Sequence, residues 1–286
     1  MYDIIIIGAG PAGLTAAQYL ARARRKTLVI ERFFGTGQTG VINEIVNYPG
    51  LVTVNGYELL ETMRSQALNF GAEFTDDEVT VVDTKAKKVT TLLGNEYTAK
   101  AIIFATGCKS RELGLRNEQM LLGRGISYCA TCDGGFYRDR VVAVAGKGAK
   151  AIADAKYLSK IAKTTYLITT DETDADGITT VKGSVIGLNG SPLEEIEVMK
   201  TDGEKTTLKV DALFVAVGLN PVTALLAGQV ERDGDGFIVT DEDCETSEKG
   251  IFAVGDIRVK KVRQIVTAAA DGAIAAAAAI KRIKEN

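Results

Sequence analysis

The sequence of 286 residues contains no histidine and no tryptophan, and only four cysteines and four prolines. The lack of histidine excludes Ser-His and Cys-His catalysis and any zinc site that needs an imidazole ligand. No stretch interleaves basic and aromatic residues, and the net charge of −3 gives no global attraction to nucleic acid. We therefore expect chemistry based on thiols and carboxylates, and no nucleic-acid partner.

Long hydrophobic runs are also missing. Although 46% of the residues are hydrophobic, no apolar stretch reaches the ~20 residues of a membrane-spanning helix. The first apolar strand, residues 4–7, leads into glycine and does not resemble a secretory signal. Four cysteines in a chain of this length do not form a disulfide scaffold. We expect a cytoplasmic protein without a membrane partner, in which a close pair of cysteines has a redox or metal-binding function.

The N-terminal segment has the pattern of a dinucleotide-binding βαβ unit. The apolar strand enters the glycine motif Gly8-Ala9-Gly10-Pro11-Ala12-Gly13. A helical segment rich in alanine and leucine follows, and the next apolar strand ends at Glu31, whose carboxylate suits hydrogen bonds with an adenosine ribose. The pattern predicts dinucleotide binding at the glycine turn, and the alternative is a purely structural turn.

A second glycine motif indicates a second dinucleotide-type fold. This motif, Gly146-Lys147-Gly148-Ala149-Lys150-Ala151, begins after an apolar strand over residues 141–145 and is followed by a helical pattern and another strand, residues 165–169. We predict an α/β protein with two Rossmann-like domains of the three-layer, glutathione-reductase type. The first domain is predicted to be discontinuous, with residues 1–110 and 232–286, and the second, with residues 111–231, to be inserted into it.

The segment Cys129-Ala130-Thr131-Cys132-Asp133-Gly134 contains the close cysteine pair. A C-x-x-C motif can be half of a zinc site, but Cys108 and Cys244 stand apart and no histidine is present, so no metal is expected. A redox dithiol is the better interpretation. Asp133 is a candidate to exchange the thiol proton, although aspartate before glycine is also ordinary turn chemistry. Cys108 and Cys244 are predicted to be inert packing residues.

Taken together, the motifs resemble those of the low-molecular-weight thioredoxin reductase family along nearly the whole chain. The matching stretches are Gly8 to Gly13, Gly37-Gln38, Asn47-Tyr48-Pro49-Gly50, Ala105-Thr106-Gly107, Gly123-Arg124-Gly125, Cys129 to Gly134 with Phe136-Tyr137, Val217-Gly218, Gly255-Asp256 and Arg263-Gln264. This resemblance implies FAD in the first domain, a homodimer, and thioredoxin as the disulfide substrate.

The resemblance also implies the roles of individual residues. Cys132 would face the flavin, Cys129 would attack the thioredoxin disulfide, and Asp133 would be the acid/base. Gly255-Asp256 would contact the ribityl-phosphate region, and Gln264 would lie near the flavin ring. The full set of predicted cofactor-binding residues is Gly8, Gly10, Pro11, Ala12, Gly13, Glu31, Gln38, Asn47, Thr106, Gly107, Gly255, Asp256, Arg263 and Gln264.

The second glycine motif departs from the family pattern, because Lys147 replaces a glycine and Lys150 replaces a small polar residue. After the next strand, the family presents a His-Arg-Arg run that holds the 2′-phosphate of NADPH. Here the segment 171–176 carries four carboxylates, which repel a phosphate. A β-like run over residues 178–181 follows at once, so the expected helix is missing and the second domain is predicted to be pruned.

NADPH is therefore disfavoured, and the chain is most similar to the pyridine-nucleotide-independent, ferredoxin-dependent branch of the family. A plant-type ferredoxin near about −400 mV lies below thioredoxin at about −270 mV, which corresponds to ~6 kcal/mol for two electrons. Reduced ferredoxin is the expected donor, and two basic clusters, residues 22–26 and 260–263, are candidate docking sites for it.

Two alternatives remain open. The first is a thioredoxin reductase that uses NADPH or NADH, because the spacing of Asp171 from the second glycine motif suits a ribose-binding acid. The second is a flavoprotein that resembles a ferredoxin reductase or has no catalytic activity. Neither protein of this second kind would need the Cys129/Cys132 pair.

Overall fold

The computed structural model describes residues 1–173 and 177–285. Its helices are α1 (Pro11–Arg22), α2 (Gly56–Asn69), α3 (Ala130–Asp133), α4 (Gly148–Leu158) and α5 (Ile265–Glu285). Its strands are β1 (Tyr2–Ile7), β2 (Thr27–Ile30), β3 (Glu73–Thr75), β4 (Val79–Asp83), β5 (Lys88–Thr91), β6 (Glu96–Phe104), β7 (Cys108–Ser110), β8 (Ile126–Ser127), β9 (Val141–Gly146), β10 (Thr164–Thr169), β11 (Thr179–Gly190), β12 (Leu193–Lys200), β13 (Lys205–Lys209), β14 (Ala212–Ala216), β15 (Leu219–Pro221) and β16 (Ile251–Ala253).

The chain divides into two compact units, Met1–Lys109 with Asn220–Asn286, and Ser110–Leu219. From the sequence we predicted that the chain returns from the inserted unit to the first unit at residues 231–232, whereas it returns at Leu219–Asn220. Leu226 is buried in the core of the first unit, and the Gln229 side chain accepts two hydrogen bonds from Thr84 and donates one to the Val82 carbonyl. These contacts join residues 220–231 to the first unit, and no local sequence pattern predicts them.

The first unit contains a seven-stranded sheet in the order β3-β2-β1-β6-β5-β4, with β16 also paired to β6. β1 lies parallel to both β2 and β6, and its isoleucines alternate between the faces of the sheet. Ile4 and Ile6 pack with α1, α2 and α5, whereas Ile5 and Ile7 belong to the core on the opposite face. Each such fully buried side chain contributes roughly 1.5–3 kcal/mol.

The second unit contains a sheet in the order β13-β12-β11-β10-β9-β14-β8. β8, β14, β9, β10 and β11 are parallel neighbours, and β11 to β13 continue as an antiparallel meander. A parallel pair normally needs a crossover of a dozen or more residues, usually with a helix. Between β10 and β11, the residues that the structure describes contain no helix. The α/β class with two Rossmann-like sheets is confirmed, and both sheets have seven strands, so the predicted pruning concerns only the connection between β10 and β11.

No helix in the described parts of the chain combines the length and the hydrophobicity that a membrane crossing requires.

Candidate active site

Cys129 and Cys132 form a disulfide, with their Cα atoms 5.3 Å apart. α3 begins directly after Cys129, so the three-residue spacing places both sulfurs on one helical turn. Cys129 is the N-cap of this turn, and its sulfur accepts a hydrogen bond from the Cys132 amide at 3.2 Å. The pair thus has the spacing and the covalent link of a redox couple.

Asp133 is the last residue of α3 and lies beside this couple. Its Oδ2 atom accepts a hydrogen bond from the Ser127 hydroxyl at 2.6 Å, and the Ser127 oxygen accepts one from the Cys129 amide at 3.0 Å. The three residues predicted to be catalytic are therefore brought together. Ser127 was not predicted, because a serine at the end of a short strand carries no distinguishing sequence signal.

Glu118 supports the segment that leads into the redox turn. It is 2% exposed, and its carboxylate accepts hydrogen bonds from the amides of residues 113–115 and from the Tyr128 hydroxyl at 2.8 Å. Burial and the contact with Glu118 raise the pKa of Tyr128, so the phenol is neutral at physiological pH. The residue before Cys129 is thus fixed by a satisfied buried carboxylate that sequence reasoning missed.

The glycine turn of the first unit has the geometry of an anion-binding helix N-terminus. Gly8 has φ +105°, and a Cβ there would lie 2.4 Å from the Ala105 carbonyl oxygen. Gly10 is the N-cap of α1, and a Cβ there would meet nothing within 4 Å, so the backbone is open to a ligand. Glu31 accepts a hydrogen bond from the Ala9 amide at 2.9 Å, which holds its carboxylate at the turn, where an adenosine ribose would bind.

Asp256 presents an unused hydrogen-bond acceptor in the same unit. Among the described residues, its buried Oδ1 atom has no hydrogen-bond partner. Burial raises the pKa of Asp256, although the charges of Lys260 and Arg263 oppose this effect. A buried carboxylate oxygen without a partner is costly unless a ligand donates to it, and a polyol hydroxyl is such a donor. Together with the glycine turn and Glu31, this oxygen fits FAD.

The remaining residues predicted to bind the cofactor lie in the first unit, but several already have protein partners. Thr106 directly precedes Gly107, and its hydroxyl donates to the Val222 carbonyl at 2.6 Å. The Arg263 guanidinium lies 4.1 Å from the centre of the Phe237 ring and donates to three backbone carbonyls. The Gln38 side-chain amide donates to the Cys108 carbonyl at 2.6 Å. The Asn47 side-chain amide donates to the Gln264 side-chain oxygen at 3.2 Å.

Asp271 forms a buried charge network that the sequence did not reveal. It lies on α5, is 6% exposed, and accepts hydrogen bonds from Arg258 at 3.1 Å, Lys260 at 2.8 Å and the Gly255 amide at 3.0 Å. The available signal was an aspartate within the alanine-rich part of α5. This network corrects the prediction that residues 260–263 form a docking cluster, because the Lys260 side chain is only 10% exposed and is already paired with Asp271.

The two other cysteines are buried in the first unit. Burial raises the pKa of the Cys108 thiol to about 11, and the nearby Asp256 charge adds to this effect. Burial likewise raises the pKa of the Cys244 thiol to about 11. Both thiols are protonated at neutral pH, and this agrees with the prediction that they are inert.

The glycine turn of the second unit already contacts a carboxylate of the protein. Asp171 accepts a hydrogen bond from the Gly148 amide at 2.6 Å, and Lys182 pairs with Glu172 at 3.0 Å. A cavity of about 380 Å³ lies beside the turn and is lined by Lys147, Lys150 and residues 216–218. Of the four predicted acidic residues, Asp174 and Asp176 lie outside the described residues. Asp171 therefore contacts its glycine turn as Glu31 does in the first unit.

Comparison with known proteins agrees with this geometry. A model of the family "Pyridine nucleotide-disulphide oxidoreductase" matches residues 2–272. A thioredoxin reductase of Treponema pallidum is 42% identical over 99% of this chain and 97% of its own length, and one of Listeria innocua is 41% identical over 100% and 95%. The crystal structure of thioredoxin reductase from Streptococcus pyogenes superposes with a TM-score of 0.92 at 35% identity, covering 100% of this chain and 99% of the other. The chain belongs to the thioredoxin reductase family.

Proposed function

We propose that the chain is a FAD-dependent thioredoxin-disulfide reductase that acts through the Cys129/Cys132 couple. The observation that carries this proposal is the disulfide on α3 with the Asp133 carboxylate held beside it. This chain matches nearly the whole length of the relatives that bear the name thioredoxin reductase, which supports the same activity.

The proposed reaction transfers two electrons and one proton from the reduced couple, a Cys129 thiolate and a Cys132 thiol, to the thioredoxin disulfide, and the second substrate thiolate takes its proton from water. The Cys129 thiolate attacks one substrate sulfur and forms a mixed disulfide, and the first substrate thiolate leaves. Cys132 then attacks the Cys129 sulfur, restores the enzyme disulfide and releases the second substrate thiolate. Asp133 accepts the proton of an enzyme thiol and returns a proton to a leaving thiolate, so its protonation state is restored.

The proposed FAD site lies in the first unit. The backbone of residues 8–13 and the N-terminus of α1 would hold the pyrophosphate, Glu31 the adenosine ribose, and Asp256 a hydroxyl of the ribityl chain. Bound FAD would supply the electrons that reduce the Cys129/Cys132 disulfide. Asn47 and Gln264, which hydrogen-bond to each other, are proposed to lie near the flavin ring.

For the electron donor, family membership favours a pyridine nucleotide, since the family description names one and its model extends across the second unit. The geometry favours NADH over NADPH. The Asp171 carboxylate at the glycine turn would accept hydrogen bonds from a ribose 2′-hydroxyl and repel a 2′-phosphate.

Reduced ferredoxin is the second candidate donor, and two observations favour it. The Gly148 amide already donates to Asp171, and the described residues between β10 and β11 include no helix. Of the basic clusters suggested for docking, residues 22–26 remain as a candidate. In this case the second unit would carry the dithiol without serving as a nucleotide site.

Anaerobic mixing tests the function and the donor together. The FAD-loaded protein is mixed with NADPH, NADH or reduced ferredoxin in turn, and flavin bleaching and thioredoxin thiol formation are followed. Bleaching by a nicotinamide nucleotide supports the first donor, and bleaching by ferredoxin alone supports the second. Flavin that bleaches with any donor but leaves thioredoxin oxidised contradicts the proposed activity.

Replacement of Asp171 with serine tests the geometry of the nucleotide site. We expect the ratio of kcat/KM for NADPH to that for NADH to rise about tenfold, because a like charge near the 2′-phosphate is removed. Steady-state thioredoxin reduction measures this ratio. Asp202→Asn, which removes an exposed carboxylate of the same unit, is the control and should leave the ratio unchanged. An unaltered ratio in Asp171→Ser would contradict the proposed site.

We also propose that the protein is a cytoplasmic homodimer, as the family resemblance implies. Sedimentation or light scattering of the FAD-loaded protein measures its mass directly. A mass equal to that of one chain of 30.4 kDa across the micromolar range would contradict the dimer.

A further inference from the structure

Ser127 lies at the centre of the redox turn, although it is not among the residues predicted to take part in catalysis. It is the last residue of β8 and is aligned with Phe214 of β14, so its backbone is fixed by the parallel sheet of the second unit. Only 3% of the residue is exposed. Its hydroxyl is therefore a buried polar group with a fixed position, and its hydrogen bonds define what it does.

The hydroxyl connects the two ends of the redox turn. Its oxygen accepts the Cys129 amide at 3.0 Å. Its single proton is directed to Asp133 Oδ2 at 2.6 Å, much closer than the Cys129 carbonyl at 3.4 Å. A hydrogen bond of this length between a hydroxyl and a carboxylate is charge-assisted and stronger than one between neutral groups. The position of the carboxylate is thus linked to the backbone of the attacking cysteine.

We infer that Ser127 is a positioning residue that holds the Asp133 carboxylate for proton exchange with the dithiol. This inference rests on the proposed function. When two electrons pass from the dithiol to the substrate disulfide, Asp133 takes a proton from an enzyme thiol and gives one to a leaving thiolate. Ser127 keeps its own proton throughout, and it acts by fixing one carboxylate oxygen.

A purely structural role would have a different signature. If Ser127 only capped the turn by accepting the Cys129 amide, its loss would slow the reaction by the same factor whether or not residue 133 can transfer a proton. A double-mutant cycle between Ser127 and Asp133 separates the two cases, because it measures the coupling between neighbouring residues directly.

The experiment uses single turnovers of the pre-reduced, FAD-loaded protein with oxidised thioredoxin, for the wild type, Ser127→Ala, Asp133→Asn and the double variant. We expect Ser127→Ala to slow thioredoxin reduction about tenfold when Asp133 is present, and less than about twofold in the Asp133→Asn background. Equal factors in both backgrounds would overturn the inference. The pH–rate profile should also shift in Ser127→Ala, which a loss of packing alone would not cause.

Two further variants guard against a folding defect. Ser127→Thr keeps the hydroxyl and should restore the rate to within about threefold of the wild type. Thr165→Val removes a hydroxyl that is also buried in the second unit, and should leave the rate unchanged. A Ser127→Thr protein that melts like the wild type but is as slow as Ser127→Ala would count against the inference.

Failure of the proposed function and failure of the Ser127 inference give different results. A wild-type protein that leaves thioredoxin oxidised overturns the proposed function and the inference with it. A wild-type protein that reduces thioredoxin, together with a Ser127→Ala protein of equal rate, overturns the inference alone.

Discussion

Replacement of Cys129 with serine is expected to lower kcat/KM for thioredoxin reduction at least about a thousandfold, because a serine hydroxyl cannot replace the thiolate as nucleophile. Cys129 is the N-cap of α3, and its sulfur accepts a hydrogen bond from the Cys132 amide. The two free cysteines, Cys108 and Cys244, are buried in the first unit. Thioredoxin thiol formation measures the loss. Reduction of a one-electron acceptor by the same variant should persist, because that reaction needs the flavin and not the dithiol.

Cys108→Ser is the matched control for this experiment. The Cys108 thiol is buried and its pKa is raised to about 11, so its replacement should change thioredoxin reduction less than about twofold. Substantial thioredoxin reduction by Cys129→Ser would contradict the dithiol mechanism. It would favour instead the alternative of a flavoprotein that does not use the Cys129/Cys132 pair.

Replacement of Asp271 with asparagine is expected to destabilise the first unit by about 3–5 kcal/mol. Arg258 and Lys260 would lose their common counter-ion in a site where all three side chains are largely buried, and breaking one partner of such a group leaves uncompensated charge. Urea denaturation of the FAD-free protein measures the change in the free energy of unfolding, so that cofactor binding does not contribute to it.

The same variant should also retain less FAD, because Asp271 accepts the hydrogen bond of the Gly255 amide next to Asp256. The flavin content after gel filtration is the readout. Asp235→Asn, which alters an exposed carboxylate of the same unit, should unfold like the wild type and keep its flavin. An Asp271→Asn protein with unchanged stability would mean that the two cations reach solvent when their partner is lost.

The features that could be predicted from the sequence are those encoded locally. The glycine turn at residues 8–13 and the C-x-x-C turn each depend on a few consecutive residues, and the structure has both as expected. Glu31 was found because the length of a βαβ unit fixes its spacing from the turn, and it contacts the Ala9 amide. The short connection between β10 and β11 was found because a strand pattern begins where a helix should follow.

The missed features depend on contacts between residues distant in sequence. Asp271 accepts hydrogen bonds from Arg258 and Lys260 only after α5 has packed on the sheet, so the basic cluster was misinterpreted as a docking surface. The crossing at Leu219–Asn220 is set by Gln229, whose partners lie in β4 and just after it. Tertiary packing therefore decides which charges are available to partners and where a unit ends.

The order of the strands has a consequence for synthesis on the ribosome. The first unit cannot complete its sheet until β16 has emerged, and its helical layer also needs α5, the last element of the chain. All the residues of the second unit precede both elements. Since domains fold as units during translation, the inserted unit is complete while the first unit still lacks its C-terminal segment, residues 220–286. The dithiol turn is therefore formed on the nascent chain before a finished flavin site exists.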